Sequence, residues 1–451
     1  MLSNGFEEQE KNLRLPLVLG DGLLLRWGVP TVAPELGAFN VEIHTENPAE
    51  PEDWLANWTA DLMSGKHPTT KASDFTVIVD QKAGNKIISS LNLISQTWTY
   101  DGIPFGVGRI ELVGTDPQYR RRGLIRQQMT AVHQKSAARG ELVQAITGIP
   151  WYYRQFGYEM TINLGGSREF FWTRPNNDKP IKEEIYHMRP AARPDIPVLQ
   201  TLYPLHCADS LLVAQRSEDI WEYGLFVATR ETAGARTVHM IENGSGSVVA
   251  YVQIYPYGTA FRVREIGVMR GHSWRAVALF LVRELKKRAH RLNQQRDKPI
   301  NHIAFNLGAK HPLYDALGSQ LEKQQKPYAW YIRVPDLIAF LNIIAPVLER
   351  RLSESVMAGH TGTLRLNLYH VALRLVFKNG NIGKIETYEP AHFFEADAFF
   401  PDLSFLNLLF CHRSFAELDA AFIDCFAEKA EAAVLLGCLF PRQPSDINPL
   451  S

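Results

Sequence analysis

Cysteine is scarce in this chain, with Cys207, Cys411, Cys425 and Cys438 the four among 451 residues, and none forms a CxxC pair. So sparse a set excludes a disulfide scaffold and points to a reducing compartment. Long apolar runs are missing as well. The longest, Leu337 to Leu348, is broken by Asn342 and Pro346 and spans about 12 residues, where a bilayer demands about 20. Nor is there an excess of charge of one sign, because 48 Lys and Arg are balanced by 48 Asp and Glu. That balance argues against nucleic acid or an anionic membrane as partner through a global basic field, but leaves room for a local basic site. The first ten residues are polar and acidic, unlike a signal peptide. A cytoplasmic, non-membrane protein is expected.

What is present is a globular mixture, 45% hydrophobic and 11% aromatic, and the length suggests about three domains. From about Leu23 to Leu164, strand-like stretches at Phe75 to Val79, Lys86 to Ser95 and Gly106 to Val113 precede an amphipathic helix from Leu124 to Arg139 and a strand from Leu142 to Ile146. A polar linker, Thr173 to Glu184, follows. The second region repeats the order, with strands at Thr237 to Glu242, Val248 to Tyr255 and Phe261 to Val268. A helix opened by Ser273 and a strand from Ile303 to Leu307 complete it. This suggests duplication of one α/β unit. The third region has an apolar helix and strands at Thr363 to Leu368, Ala372 to Phe377 and Gly383 to Tyr388. Helices are expected from Ser404 to Phe410 and from Phe415 to Ala433, giving an α+β module.

The segment richest in chemistry runs from Ile110 to Arg126. A strand ends near Gly114, a turn passes through Asp116-Pro117, and the basic loop Arg120-Arg121-Arg122-Gly123 leads straight into the helix. Helix N-termini carry free amides and partial positive charge, so they bind phosphate. Gly123 lets backbone approach an anion, and Arg120, Arg121, Arg122 and Arg126 add charge for a pyrophosphate or a 3′-phosphate. A solvated charge run is the bland alternative, but its place between strand and amphipathic helix favours anion binding. Ile125, Met129, Val132 and Ser136 form that helix's buried stripe, with Gly140 as C-terminal cap. There is no P-loop and no GxGxxG fingerprint; a pyrophosphate-bearing cofactor bound through Arg-x-x-Gly-x after a strand fits coenzyme A.

Arg120-Arg121-Arg122-Gly123-Leu124-Ile125 resembles the acetyl-CoA loop of the GNAT acetyltransferases, Gln/Arg-x-x-Gly-x-Gly/Ala, with Ile125 in place of the last small residue. Trp151-Tyr152-Tyr153-Arg154-Gln155-Phe156-Gly157-Tyr158 resembles the Tyr-x-x-Phe-Gly-Tyr signature of the Eis-like branch. Phe410-Cys411-His412-Arg413-Ser414 is similar to a Leu-Phe-x-x-Arg-Ser stretch in its third domain. The resemblance implies an α/β and α+β chain. Residues 1–164 would be a catalytic GNAT (acyl-CoA N-acyltransferase) domain, 165–332 a second, degenerate one, and 333–451 a sterol-carrier-protein-like domain. It implies an acetyl-CoA-dependent N-acetyltransferase acting on a primary amine of aminoglycoside, polyamine or lysine type, assembled as a trimer or hexamer. Val113, Gly114 and Thr115 would pair with pantetheine, and Arg121, Arg122, Gly123, Leu124, Ile125 and Arg126 would hold the pyrophosphate. Gly148 and Ile149 would lie near the acetyl end. Tyr153 falls on the general acid, and the C-terminal carboxylate of Ser451 on the general base.

The chemistry fits these residue types. An amine must lose a proton, the carbonyl oxygen needs a backbone donor, and a tyrosine hydroxyl can protonate a departing thiolate. No metal is expected, since His187, His206 and Cys207 lack ligand spacing. His133 reads as a packed or surface residue rather than a base. Trp27, Trp54 and Trp58 read as core, and Glu42, Glu46, Glu50 and Glu52 as a solvated face. In the second region, Met269-Arg270-Gly271-His272-Ser273 supplies no comparable loop, so that unit is expected to have lost cofactor binding. The competing reading is a non-catalytic coenzyme A sensor, or a hydrophobic-ligand binder built on the third region's apolar strands.

Overall fold

A computed structural model describes residues 14–173, 184–401, 403–443 and 445–448. Ser451 and most of the polar linker lie outside them. The chain divides into two compact units. One comprises Met1–Ile162, Leu211–Gln215 and Trp330–Pro444, and the other Asn163–Ser210, Arg216–Ala329 and Ser445–Ser451.

The first unit is organised around a nine-stranded sheet. Its strands β1 (Leu17–Gly20), β2 (Leu23–Trp27), β3 (Phe75–Asp80), β4 (Lys86–Tyr100), β5 (Ile103–Thr115) and β6 (Val143–Ile146) lie side by side in that order. Tyr328–Arg333 follows β6, then β7 (Glu159–Leu164), while Leu212–Ala214 pairs with the far end of β4. Strands β4 and β5 are longer than their apolar alternation suggests. Asp101 and Gly102 both take positive φ, 50° and 90°, the turn whose twist matches a two-stranded hairpin. The pairing therefore closes tightly as far as Tyr100 and Ile103.

Helices α1 (Ala33–His44), α2 (Trp54–Met63) and α3 (Leu124–Ala138) accompany this sheet. Gly123, at φ 73°, turns the chain into α3, and the Gly140 N–H closes it on the Ala137 carbonyl at 2.9 Å. Met129, Val132 and Ser136 are buried as the spacing requires. Ile125 is only half-buried, because its side faces a cavity.

The second unit holds a six-stranded sheet, in the order Arg168–Phe171, His302–Phe305, Ala260–Val268, Val248–Tyr257, Val238–Glu242 and His187–Pro190. The helix Trp274–Leu292 buries Val277, Phe280, Leu281 and Leu285 in its core.

A five-stranded sheet belongs to the first unit: Asn381–Thr387, Ala372–Lys378, Gly362–Asn367, Ala398–Phe399 and Phe426–Ala427, packed by the helix Leu337–Ser353. Here the structure corrects one expectation. The stretch from Phe415 to Ala433 is not one helix but Phe415–Ala421, a short strand, and Ala430–Leu439. Phe426 stacks on Phe399 at 4.6 Å between ring centroids, and their strands pair. Sheet pairing thus overrides the helical spacing. No helix among the described residues is long and apolar enough to cross a membrane.

Candidate active site

The site begins with an irregularity in β5. Ser90 pairs with Gly114 and Asn92 with Glu111, so Leu112 and Val113 both oppose Leu91. That is a β-bulge, with Leu112 at φ 53°, and bulges re-aim the backbone at the point where they occur. On its other side β5 pairs with β6 only from Val107 to Ile110. Beyond Ile110 and Ile146 the two strands part. Residues 111–115 then continue with β4 on one side and an opening on the other.

A cavity of about 560 Å³ occupies that opening. Val113, Gly114 and Thr115 form its strand wall, Arg121, Gly123, Leu124, Ile125 and Arg126 its loop and helix wall, and Ile149 and Tyr153 the far end. Ten of the sequence-predicted residues are therefore brought together. Arg122 is not on the lining, because its guanidinium lies 5.0 Å over the Tyr119 ring. Gly148 is not on it either, but a methyl built on Gly148 would sit 3.7 Å from the Tyr153 hydroxyl. Ser451 falls outside the described residues.

The anion-binding features are local and physical. No side chain caps α3, and its first residues, Leu124 to Arg126, line the cavity, where a helix N-terminus has amides to offer an anion. Arg121 is exposed and, at φ 64°, left-handed. Arg126 donates to Gln155 Oε1 at 3.1 Å and lies over the Phe156 ring at 5.2 Å. The Arg120 Nε donates to the Thr115 carbonyl at 3.2 Å, tying loop to strand.

Asp116 caps the turn by accepting from the Gln118 N–H at 2.9 Å and pairs with Lys86 at 2.8 Å. Burial pushes its carboxyl up, but Lys86 and that backbone N–H hold it below the usual value. Beneath the loop, the Ser89 hydroxyl lies 2.9 Å from the Gly114 carbonyl, 2.8 Å from the Thr115 hydroxyl and 2.7 Å from Gln128 Oε1. Gln128 Nε2 donates in turn to Thr76. The helix that presents the amides is thus bolted to the strands that form the opposite wall.

Tyr153 is 3% exposed and sits on a short 3-10 turn, Tyr152–Phe156. Three rings fix it edge-on: Tyr152 at 5.1 Å, Tyr331 at 5.5 Å and Tyr158 at 6.4 Å. Tyr331 also accepts the Trp151 N–H and donates to the Ile149 carbonyl. It therefore shapes the whole segment around Tyr153. Sequence reasoning missed it, because nothing links a strand residue some 180 positions later to this turn.

His44 was missed too. It ends α1, lines the cavity, and its buried Nε2 has no hydrogen-bond partner among the described residues. Burial lowers its pKa below the ordinary 6.5, and Glu111 opposes that shift.

Trp27 and Trp54, read from the sequence as core, are only half-buried. His133 is buried and bonded to the Tyr158 hydroxyl at 2.7 Å. Trp58 is buried and tilted against Trp54, and Lys135 lies over Trp27. Glu42, Glu46, Glu50 and Glu52 are exposed. Desolvation raises the Cys207 thiol to about 12, the reverse of what a nucleophile needs. In the second unit His206 and His311 lie 3.2 Å apart, with His206 lowered by burial to about 4. No three of His, Cys, Asp and Glu cluster as metal ligands among the described residues.

These features coincide with what comparison with known proteins returns. Residues 45–161 match the family profile of the acetyltransferase (GNAT) domain. No curated protein sequence matches the chain. Among solved structures, a probable N-acyltransferase of Enterococcus faecalis is 14% identical, with TM-score 0.68 over 94% of this chain and 98% of that one. Eis1 of Mycobacterium abscessus is likewise 14% identical, with TM-score 0.59 over 94% and 99%. The Saccharomyces cerevisiae N-myristoyltransferase, solved with myristoyl-CoA, is 11% identical, with TM-score 0.52 over 72% and 85%. Residues 45–161 thus carry an acetyltransferase domain of the GNAT type, within a mixed α/β chain of GNAT-like acyltransferase fold.

Proposed function

We propose that the protein is an acetyl-CoA-dependent N-acetyltransferase of the Eis-like type, acting on a primary amine by direct attack in a ternary complex. One observation carries this reading. A single cavity joins the uncapped amides of α3, a strand edge released by the β5–β6 divergence, and a tyrosine. The donor set suits coenzyme A: helix amides and Arg121 and Arg126 for the pyrophosphate, and the backbone of Val113 to Thr115 for the pantetheine amides. When bound, the thioester supplies an activated acyl group, and the chain's residues orient it and manage protons.

Tyr153 gives its hydroxyl proton to the departing sulfur. Tyr331 and Tyr152 hold its ring in place, and the buried Phe156 closes the same end. For the base, the resemblance offers the carboxylate of Ser451. Gly148 and Ile149 border the acetyl end, and Arg122 extends the basic rim. In this reading residues 1–164 are the catalytic domain, 165–332 a degenerate repeat and 333–451 a carrier-like domain. The enzyme is a cytoplasmic trimer or hexamer.

The test is release of free coenzyme A thiol from acetyl-CoA, with an aminoglycoside, a polyamine and a lysine peptide as acceptors. Tyr153→Phe should lower kcat by about 100-fold or more while leaving acetyl-CoA binding intact. Absence of release with every amine would favour a binding protein. Unchanged turnover in Tyr153→Phe would remove the tyrosine from its role.

A further inference from the structure

Coenzyme A is a long ligand, and in the reading proposed above, on which this subsection rests, it calls on two walls at once. The pyrophosphate needs the start of α3 and its arginines, and the pantetheine needs the backbone of Val113 to Thr115. Two linked halves reinforce each other only where their sites stand at the spacing of the ligand itself. Something must therefore fix the distance from α3 to β5.

Apolar packing does part of this. Leu124 clusters with Leu23, Leu25, Ile78 and Ile88, while Met129 and Val132 cluster with Leu91, Leu93 and Ile110. Such burial is non-directional, so it tolerates a helix displaced by a fraction of an ångström. Hydrogen bonds fix both direction and length. Between these two apolar groups lies Gln128, four residues from Leu124 and four from Val132, fully buried where an aliphatic side chain would pack. A buried amide is costly unless its partners are met, and here they are. The Nε2 donates to the Thr76 carbonyl at 3.2 Å and approaches the Thr76 hydroxyl at 3.1 Å. The Oε1 accepts from the Ser89 hydroxyl at 2.7 Å. Ser89 Oγ lies in turn 2.8 Å from the Thr115 hydroxyl and 2.9 Å from the Gly114 carbonyl. Gly114 and Thr115 line the cavity. A chain of buried polar contacts thus runs from the second turn of α3 to the opposite wall.

We propose that Gln128 is a positioning residue for the cofactor: through Ser89 it sets the spacing between the start of α3 and the Val113–Thr115 backbone, so that one coenzyme A engages both. Gln128 does not line the cavity and acts through its neighbours. Each wall keeps its own support without it. Strand β5 is held by β4 through the Ser89–Thr115 and Ser90–Gly114 pairs, and α3 begins at the left-handed Gly123. Removing the amide therefore alters the spacing and leaves each wall standing.

The experiment uses the full chain and three probes: coenzyme A by calorimetry, and ADP and pantetheine separately by ligand-observed NMR titration. Gln128→Met, similar in length but unable to make these bonds, should weaken coenzyme A binding by about tenfold or more and each half by less than about twofold. It should also lower Tm, because the Ser89 hydroxyl is left with one partner fewer. Adding Ser89→Ala removes that stranded hydroxyl and should restore much of the Tm, while coenzyme A binding stays about tenfold weak. A residue that only stabilised the fold would not give this split. Coenzyme A affinity that follows Tm across the three proteins would overturn the proposal. So would an equal loss in both halves, or wild-type affinity in Gln128→Met. A wild-type protein that neither binds coenzyme A nor releases its thiol fails the acyl-transfer reading, and the proposal with it. A wild type that binds, beside a Gln128→Met protein that binds equally well, fails only the positioning role.

Discussion

Gly114 of β5 packs against Ile43 and His44 of α1, and adding one methyl there measures how tightly the cavity wall is set. A Cβ on Gly114 would lie 2.8 Å from Ile43 Cγ2 and 3.5 Å from His44 Nε2. Carbon atoms prefer about 3.5–4.0 Å, so the helix side must yield by about 0.7 Å or more. Ile43 cannot easily swing aside, because its Cγ2 branches from Cβ and χ1 is stiff in a helix. The shift must therefore pass into α1. Gly114 has no positive φ, so alanine brings no backbone strain and the effect is overpacking alone. That class of change costs about 1–3 kcal/mol.

Gly114→Ala should accordingly lower Tm by several degrees and, on the proposed acyl-transfer reading, raise KM for acetyl-CoA, because the strand wall of the cavity has moved. Ile43→Ala removes the colliding atom. In the double variant the methyl on Gly114 should then cost little, giving a coupling of about 1 kcal/mol or more in a double-mutant cycle. Thermal unfolding and steady-state kinetics on the four proteins decide it. Additive effects, or a Gly114→Ala protein with unchanged Tm and KM, would refute the close approach.

Two further predictions concern the second unit. Glu265 is fully buried and pairs with Arg216 at 2.5 Å, with Arg236 at 3.6 Å. Burial raises its pKa, but the two guanidiniums hold it far below the carboxylate range. Glu265→Gln leaves both cations buried and should cost about 3–5 kcal/mol, read as a lower urea midpoint with faster hydrogen exchange in strand Ala260–Val268. Asp446 is the opposite case, pushed by burial to about 7. The folded state therefore holds this proton more tightly than the unfolded one, and stability falls as pH rises from about 4 through about 7, by up to about 4 kcal/mol. Asp446→Asn should flatten that fall. An unchanged pH dependence of Tm would show that the carboxyl is solvated.

Much of the first unit was legible because its signals are local. Gly123 followed by apolar residues at spacings of three and four marks α3, and the basic loop before it comes to the cavity lining at Arg120 and Arg121. What could not be read depends on position in space. His44 reaches the cavity, and Tyr331 the ring of Tyr153, from far away in sequence, and neither carries a pattern that says so. Strand Tyr328–Arg333 is a short apolar run buried from Ala329 to Ile332, and such a run does not reveal that it joins the first sheet beside β6. The stretch after Phe415 misled for the converse reason. Its helical spacing is real, but pairing of Phe426 with Phe399 outweighs it.

The two long helices of the units begin differently. Each follows a strand and a short loop, and the sequences alone suggest duplication. At α3 no side chain caps the terminus, Gly123 turns left-handed, and the first residues line the cavity. At Trp274–Leu292 the Ser273 hydroxyl accepts the Ala276 N–H at 3.2 Å, and Trp274 packs edge-on against His311. A serine cap is worth about 1 kcal/mol to the helix, but it consumes an amide that a phosphate would otherwise use. The same element thus has a capped terminus in one unit and an uncapped one in the other. Ser273→Gly, which reopens the terminus, should cost a few tenths of a kcal/mol and still produce no coenzyme A binding in calorimetry, because the loop before it lacks the arginines of 120–126. Binding gained from that single change would show that the cap alone had closed the site.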